Sequence, residues 1–375
     1  MNYTTIGAIN EYASESINPA LYPDTVFEVY SVPVFETGHP EFLRGDEIGS
    51  TKQVVQKDDV LICKINPRIN RVWVVADETD KQNIASSEWI VIRTKEYNPE
   101  FLGWYFRSSK FKALMVSEVA GIGGSLTRAQ PKRVAGYPVP LLNRSQQDEI
   151  VQRLNSIKRI IEARQRQLHA FDTLIKARFV EMFGDEKHHL SLQEVCSIIT
   201  DGTHQPPKFV PAGIPFIFVS NIVGNTITYE AEKYIDQATY DELIRRTPIE
   251  IGDILLSTVG SYGHPAVVKS DRKFLFQRHI AYLKPKHNIV NSDYLHGAIL
   301  SSDAQQQIEE AVKGIAQKTL NLSEIRKITI PVPPLEAQSE FASFVSHVDK
   351  SKAIAQAGLD KAQLLFDSLM QKYFG

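Results

Sequence analysis

The sequence predicts two duplicated α/β domains, each followed by a long amphipathic helix. Three observations carry this prediction. The first is a heptad seam. Ile150, Leu154, Ile157, Ile161, Arg164, Leu168, Phe171, Ile175, Arg178 and Met182 are spaced four, three, four, three without a break. That is the repeat of a helix built to lie along another helix. The second is its recurrence. An offset of 191, which carries Phe183-Gly184 onto Phe374-Gly375, gives Phe341, Val345, Val348, Lys352, Ala355, Leu359, Ala362, Phe366, Leu369 and Tyr373. The third is that the globular stretches before the two helices share landmarks. Asp59 maps to Asp253 at a shift of 194, and Asn98-Pro99-Glu100-Phe101-Leu102 maps to Asn291-Ser292-Asp293-Tyr294-Leu295 at 193.

Taken in order, residues 26–32, 60–65, 72–76 and 89–93 are β-branched and aromatic runs bounded by turn residues, which predicts strands. Asn98 as cap and Pro99 at the first helical position start a helix that should run to about residue 119, ended by Gly121, Gly123 and Gly124. Tyr137-Pro138-Val139-Pro140-Leu141 is an extended entry into the first long helix, predicted over about 146–183. Residues 188–334 replay the plan, and the second long helix is expected over about 338–374. The domains are therefore 1–143, 144–185 (helix), 186–335 and 336–375 (helix). Each seam spans about 34 residues, or ~50 Å at 1.5 Å per residue, which exceeds a small domain's diameter. Two such stripes in one chain hide best against each other. Arg164, Arg178 and Lys352 depart from the apolar pattern. Their stems can cover apolar surface while their heads reach water or a partner chain.

Bulk properties exclude several classes. With 43% hydrophobic and 23% charged residues in 375, the chain reads as folded protein with two or three cores. Cys63 and Cys196, one in each half, form neither a disulfide framework nor a metal cluster, so a reducing cytoplasm is expected. The N-terminal stretch lacks the features of a signal peptide, and no apolar run is long enough to span a membrane. A net charge of -2 counts against a free-standing nucleic-acid binder, which is usually basic. It leaves room for local basic patches, or for a partner that supplies phosphate contacts.

Tests for catalytic motifs fail. No Gly-rich phosphate loop with Lys-Ser/Thr occurs, and Gly121-Ile122-Gly123-Gly124 is too short and follows a helix. Gln205-Pro206-Pro207-Lys208 begins and ends wrongly for an amino-methyltransferase loop. Asp185-Glu186-Lys187 sits in a polar linker with no preceding nuclease strand, and His188-His189 has only Cys196 as a nearby softer ligand. Trp73, Trp89 and Trp104 fall at strand or helix positions and read as core. The chain looks non-catalytic.

The layout resembles the specificity subunit of type I restriction–modification enzymes, HsdS. The resemblance covers essentially the whole chain. It rests on the duplication and on Pro138-Val139-Pro140-Leu141 and Ile330-Pro331-Val332-Pro333-Pro334-Leu335 leading into the long helices. It rests also on the Phe-Gly endings, and on Asp201-Gly202-Thr203-His204 followed by Gly213-Ile214-Pro215-Phe216-Ile217. The first half lacks the Asp-Gly-Thr-His string. The resemblance implies two target-recognition domains joined by the family's two conserved helices in an antiparallel coiled coil. Each domain would read one half of a bipartite, asymmetric double-stranded DNA site, and the helices would set the spacer. The chain itself would bind no cofactor. Adenine-N6 methyltransferase and ATP-dependent endonuclease activities, with S-adenosylmethionine, ATP and Mg, would reside in partner modification subunits, expected as two, and motor-nuclease subunits. A type IIB-like or methylation-only system, and a duplicated protein-interaction scaffold without DNA, remain as alternatives.

For the second half, the expected DNA contacts are Asp201, Gly202, Thr203, His204 and Lys208, aided by residues 258–263 with Thr258, by Arg278 and His279, and by Gln317 and Lys318. Thr and His can bond base edges, and Lys can hold a phosphate. The plainer reading makes Asp201-Gly202 a turn. For the first half the candidates are Lys64, Asn66, Arg68, Arg71, Ser125 and Arg128, a basic Asn-containing loop between strands; solvated loop charge is the plainer reading there.

Overall fold

The computed structural model describes residues 2–76, 78–117, 128–314 and 318–375. Gly121, Gly123, Gly124, Ser125 and Gln317 lie outside the described residues. The chain divides into two compact units, Met1–Ala163 with Gly358–Gly375, and Arg164–Ala357. Each long helix contributes one part to each unit.

In the first unit, Val60–Cys63 is the centre of a three-stranded antiparallel sheet between Val72–Val74 and Trp89–Ile92. Its apolar side chains are buried on both faces. A five-stranded sheet carries Val26–Tyr30 parallel to Gln82–Ala85. Tyr3–Thr5 pairs with Pro138–Pro140, so the Pro-punctuated entry is a short strand. The single helix expected over 98–119 is two, Pro99–Arg107 and Ser109–Ser117. Ser108 adopts extended backbone and its Oγ accepts from Phe111 N at 3.2 Å. A serine that caps the next helix competes with helix continuation, and here the cap wins.

The second unit repeats this frame. Ile254–Ser257 lies between Pro265–Val267 and Ile280–Pro285, with Cys196–Asp201 added at the far edge. His189–Ser191 pairs with Thr329–Pro331. The three-stranded sheet Lys233–Ile235, Ile214–Ile217 and Leu275–Phe276 stands beside it.

Paired polar anchors reveal the duplication in atomic detail. Asn98 Oδ1 accepts from Glu100 N and Phe101 N, and Asn291 Oδ1 from Asp293 N and Tyr294 N. Gln147 Oε1 accepts from Asn98 N at 2.7 Å, and Gln338 Oε1 from Asn291 N at 2.8 Å. Each glutamine is essentially fully buried and ties the first turn of a long helix to a helix cap in its own unit. The equivalent Pro138 O and Pro331 O each accept from a buried tyrosine, Tyr105 and Tyr294, although these two stand at different positions in the repeat. Buried polar groups that satisfy one another in this way fix a unique register.

The long helices are Arg144–Phe183 and Leu335–Phe374. All of the seam positions identified from the heptad are buried or partly buried. In the second unit Arg178 pairs with Glu340 at 3.1 Å and Lys352 with Asp172 at 2.6 Å, so the helix segments run antiparallel. Arg178 and Lys352, two of the three charged departures from the seam, thus each hold a carboxylate on the other long helix, while Arg164 bonds Gln167 on its own helix at 2.8 Å. In the first unit Arg153 Nη1 reaches Tyr373 Oη at 3.5 Å, and Phe374 joins the core containing Ile150 and Leu154. The target-domain fold with antiparallel helices is the one anticipated from the sequence.

Candidate nucleic-acid interface

In the second unit, four separated segments converge on one rim. Strand Cys196–Asp201 delivers the loop that follows it. Thr203 N donates to Phe276 O at 2.9 Å, and Arg278 N donates back to Thr203 O at 3.0 Å. Gly202 is obligatory: a Cβ there would stand 2.3 Å from Phe276 O and 2.5 Å from Gln277 O, both backbone atoms. Thr258 N donates to His279 O at 3.0 Å, and Thr258 O accepts from Leu320 N at 2.8 Å. Gly260 N donates to Lys318 O at 3.2 Å. Asp201, Thr258, Arg278 and His279 line a cleft of about 310 Å³.

The side chains differ in how committed they are. Asp201 gives one oxygen to His204 Nε2 and the other to Arg246 Nη2, both at 2.8 Å. Burial, then the Arg278 charge, hold the His279 imidazole below its usual range, and its Nε2 accepts from Arg278 Nε at 3.3 Å. Lys318 Nζ sits 2.9 Å from Glu309 and over the Tyr262 ring, and this pairing raises its pKa. Lys208 is exposed. Tyr262 lies within the 258–263 segment singled out from the sequence; Arg246 and Glu309 were missed, because nothing in the local pattern places them beside Asp201 and Tyr262, more than forty positions away in the chain.

The first unit presents the same place with different chemistry. Lys64 O accepts from Ala129 N at 2.9 Å, and Ile65 bridges Arg128, the counterpart of the Thr258–Leu320 pairing. Asn66 and Asn70 hold φ of 48° and 56° in the left-handed region, which asparagine tolerates better than most side chains. The loop 64–71 is therefore a tight, defined turn. Arg68 projects from it exposed. Arg128 pairs with Glu88 at 2.9 Å. Arg71 is different: its side chain is only 17% exposed and its Nε lies 3.5 Å from Glu36. Arg68 and Arg128 are exposed at the bridged turn, whereas Arg71 is largely buried.

A measurable split follows. Arg68→Ala should leave the melting temperature within about 1 °C and, if the loop meets phosphate, lower the salt slope of duplex binding by about one. Arg71→Ala should lower stability by about 1–3 kcal/mol, since it removes a largely buried side chain that packs under the turn and reaches the exposed Glu36. Thermal melts and salt titrations of the two variants check both halves. Equal behaviour of the two would mean that the loop is not arranged as described.

Neither cysteine is poised for chemistry. Burial pushes the Cys196 thiol up to about 12 and raises Cys63, so both are inert thiols at neutral pH. No helix among the described residues is long and apolar enough to cross a membrane.

Comparison with known proteins agrees with this architecture. Residues 186–362 match the family model of the type I restriction modification DNA specificity domain. The type I restriction enzyme EcoBI specificity subunit of Escherichia coli is 26% identical over 177 residues, 46% of this chain and 37% of that protein. The chain therefore matches well under two thirds of that relative's length. Two solved structures share the fold over the full chain. One, from work on complex assembly and conformational transition of the type I R-M system, is 19% identical with a TM-score of 0.59 and is covered over 97% of its length. The other, the type I restriction-modification S subunit from M. genitalium, is 14% identical with a TM-score of 0.59 and is covered over 96%. The second half of the chain thus matches the type I restriction modification DNA specificity domain, and the fold of the whole chain is that of these two solved structures.

Proposed function

We propose that this chain is the DNA-reading subunit of a type I restriction–modification complex. Each unit reads one half of a bipartite site, and the joining helices set the spacing. The observation that carries the reading is the repeated frame with unlike readers. The same bridged turn presents Lys64, Arg68 and Arg128 in one unit, and Thr258 beside Thr203, His204, Arg278 and Lys318 in the other. Similar scaffolds holding different donor and acceptor sets suit two different base sequences. Phosphate contacts from the arginines and lysines would fix register, and Thr, His and Asn side chains would read base edges.

Methyltransferase subunits and motor-nuclease subunits are the proposed partners, and S-adenosylmethionine, ATP and Mg belong to them. This chain's own residues bind and orient. Methylation of a base requires it to leave the stack, so the partner acts on DNA that this chain has positioned. The near-neutral net charge is compatible with that division, because the partners share the backbone contacts.

Two measurements test the reading. Retention of duplex DNA by the chain with its methyltransferase partner should fall steeply with salt. The host methylome should lose one bipartite motif when the gene is deleted. Salt-independent retention, or a methylome unchanged by the deletion, points instead to a protein-interaction scaffold.

A further inference from the structure

Arg246 has no place in the sequence-derived interface, yet the structure puts it there. It ends the short helical turn Ile244–Arg246, exposed, with one guanidinium nitrogen 2.8 Å from Asp201 Oδ1. The other oxygen of that carboxylate holds His204 at 2.8 Å. Asp201 itself is only 17% exposed and lines the cleft shared by Thr258, Arg278 and His279. A carboxylate facing DNA would repel phosphate. One that spends both oxygens on an arginine and a histidine does something else: it fixes their directions. Arg246 and His204 hold this carboxylate, and Arg278 and His279 line the same cleft.

We propose that Arg246 is a DNA phosphate contact of the second unit, and that Asp201 is the positioning residue that aims Arg246 and His204 rather than a DNA contact itself. This rests on the DNA-reading function proposed above. The guanidinium suits the role. It has five donors in a rigid fork, so one edge can stay on Asp201 while the other takes a phosphodiester oxygen. Because the pair is formed before DNA arrives, little side-chain freedom is lost on binding. Arg278, at the same cleft, supplies the second cation.

The test uses the full chain in complex with its methyltransferase partner, labelled duplexes of two unrelated sequences and a salt series. Arg246→Ala is expected to weaken binding to both duplexes alike, on the order of tenfold, and to lower the salt slope by about one. Arg246→Lys keeps the charge and should keep the slope. Asp201→Asn gives the decisive sign. Removing a negative charge from a DNA-facing surface would by itself tighten binding; loss of aim weakens it, and weakening is the expected result. Unchanged affinity and slope in Arg246→Ala, or tighter binding by Asp201→Asn, overturns the proposal while leaving the DNA reading standing. Failure of the unaltered complex to bind any duplex overturns the DNA reading itself, and the proposal with it. Melting curves identify any variant that does not fold; if that is Arg246→Ala, the sign of the Asp201→Asn effect decides.

Discussion

Phe341→Ala should destabilise the second unit by about 3–5 kcal/mol, the usual cost of emptying a buried aromatic site. Phe341 is fully buried at the start of the C-terminal helix. Its ring lies 5.4 Å from Phe179, 5.7 Å from Phe183 and 6.1 Å from Tyr294, centroid to centroid. These four rings tie both long helices to the helix Ser292–Ile299. Gly297 lets the approach happen: a Cβ there would stand 2.6 Å from Phe341 Cε1. No smaller side chain refills the space, so the transfer loss and the cavity add. Against a total of roughly 5–15 kcal/mol for a typical domain, the loss takes a large share. Urea melts followed by fluorescence measure it. As a contrast on the same helix, Ile354→Ala removes a side chain that is 73% exposed and should change stability by no more than about 0.5 kcal/mol. A loss below about 1 kcal/mol for Phe341→Ala would show that the aromatic cluster does not anchor the helices.

That cluster explains the repeated Phe-Gly, which was legible in the sequence as a marker but not as a cause. Phe183 packs edge-on to Tyr294 at 5.1 Å, and Phe374 packs edge-on to Tyr105 at 5.8 Å. Each long helix ends by inserting its last aromatic beside the tyrosine that holds the Pro-punctuated strand. The heptad seams were legible because a 3.5-residue period survives over ten positions, and burial follows it throughout. The strand centred on Val60–Cys63 was legible for a similar reason, as a continuous apolar run. Ser108 shows what was not: an apolar pattern spanning residues 98–119 has no periodic sign of a break, and the break comes from a single side-chain cap. The site divides in the same way. Gly202 and the turn at Asn66 were visible as residue types, since backbone demands restrict composition. Arg246 on Asp201 was not, because an ion pair between segments 45 residues apart leaves no local trace. Arg71 illustrates the opposite failure. Its type suggested a phosphate contact, but its position at the loop's edge places it half inside the fold.

The largest functional effect should come from replacing Thr203 and His204 together with alanine. The backbone of Thr203 is held by Phe276 O and Arg278 N, so the loop keeps its path when the side chain is trimmed. His204 is exposed and fixed only through Asp201, so its loss leaves no buried hole. The double substitution therefore removes donors and acceptors from the rim without removing the rim. Each good base contact discriminates by about 1–3 kcal/mol, so relaxation by roughly ten- to a hundredfold at one or two positions is expected. The first unit shares none of these residues, and its half-site should be read as before. Methylation of a duplex panel varied at every position of both half-sites measures this directly. Relaxation confined to one half-site distinguishes base reading from the Arg246 contact, whose loss should weaken all sequences alike. Unchanged specificity would mean that the loop 201–208 positions the backbone only, and that base reading in this unit belongs to Arg278, His279 and their neighbours across the cleft.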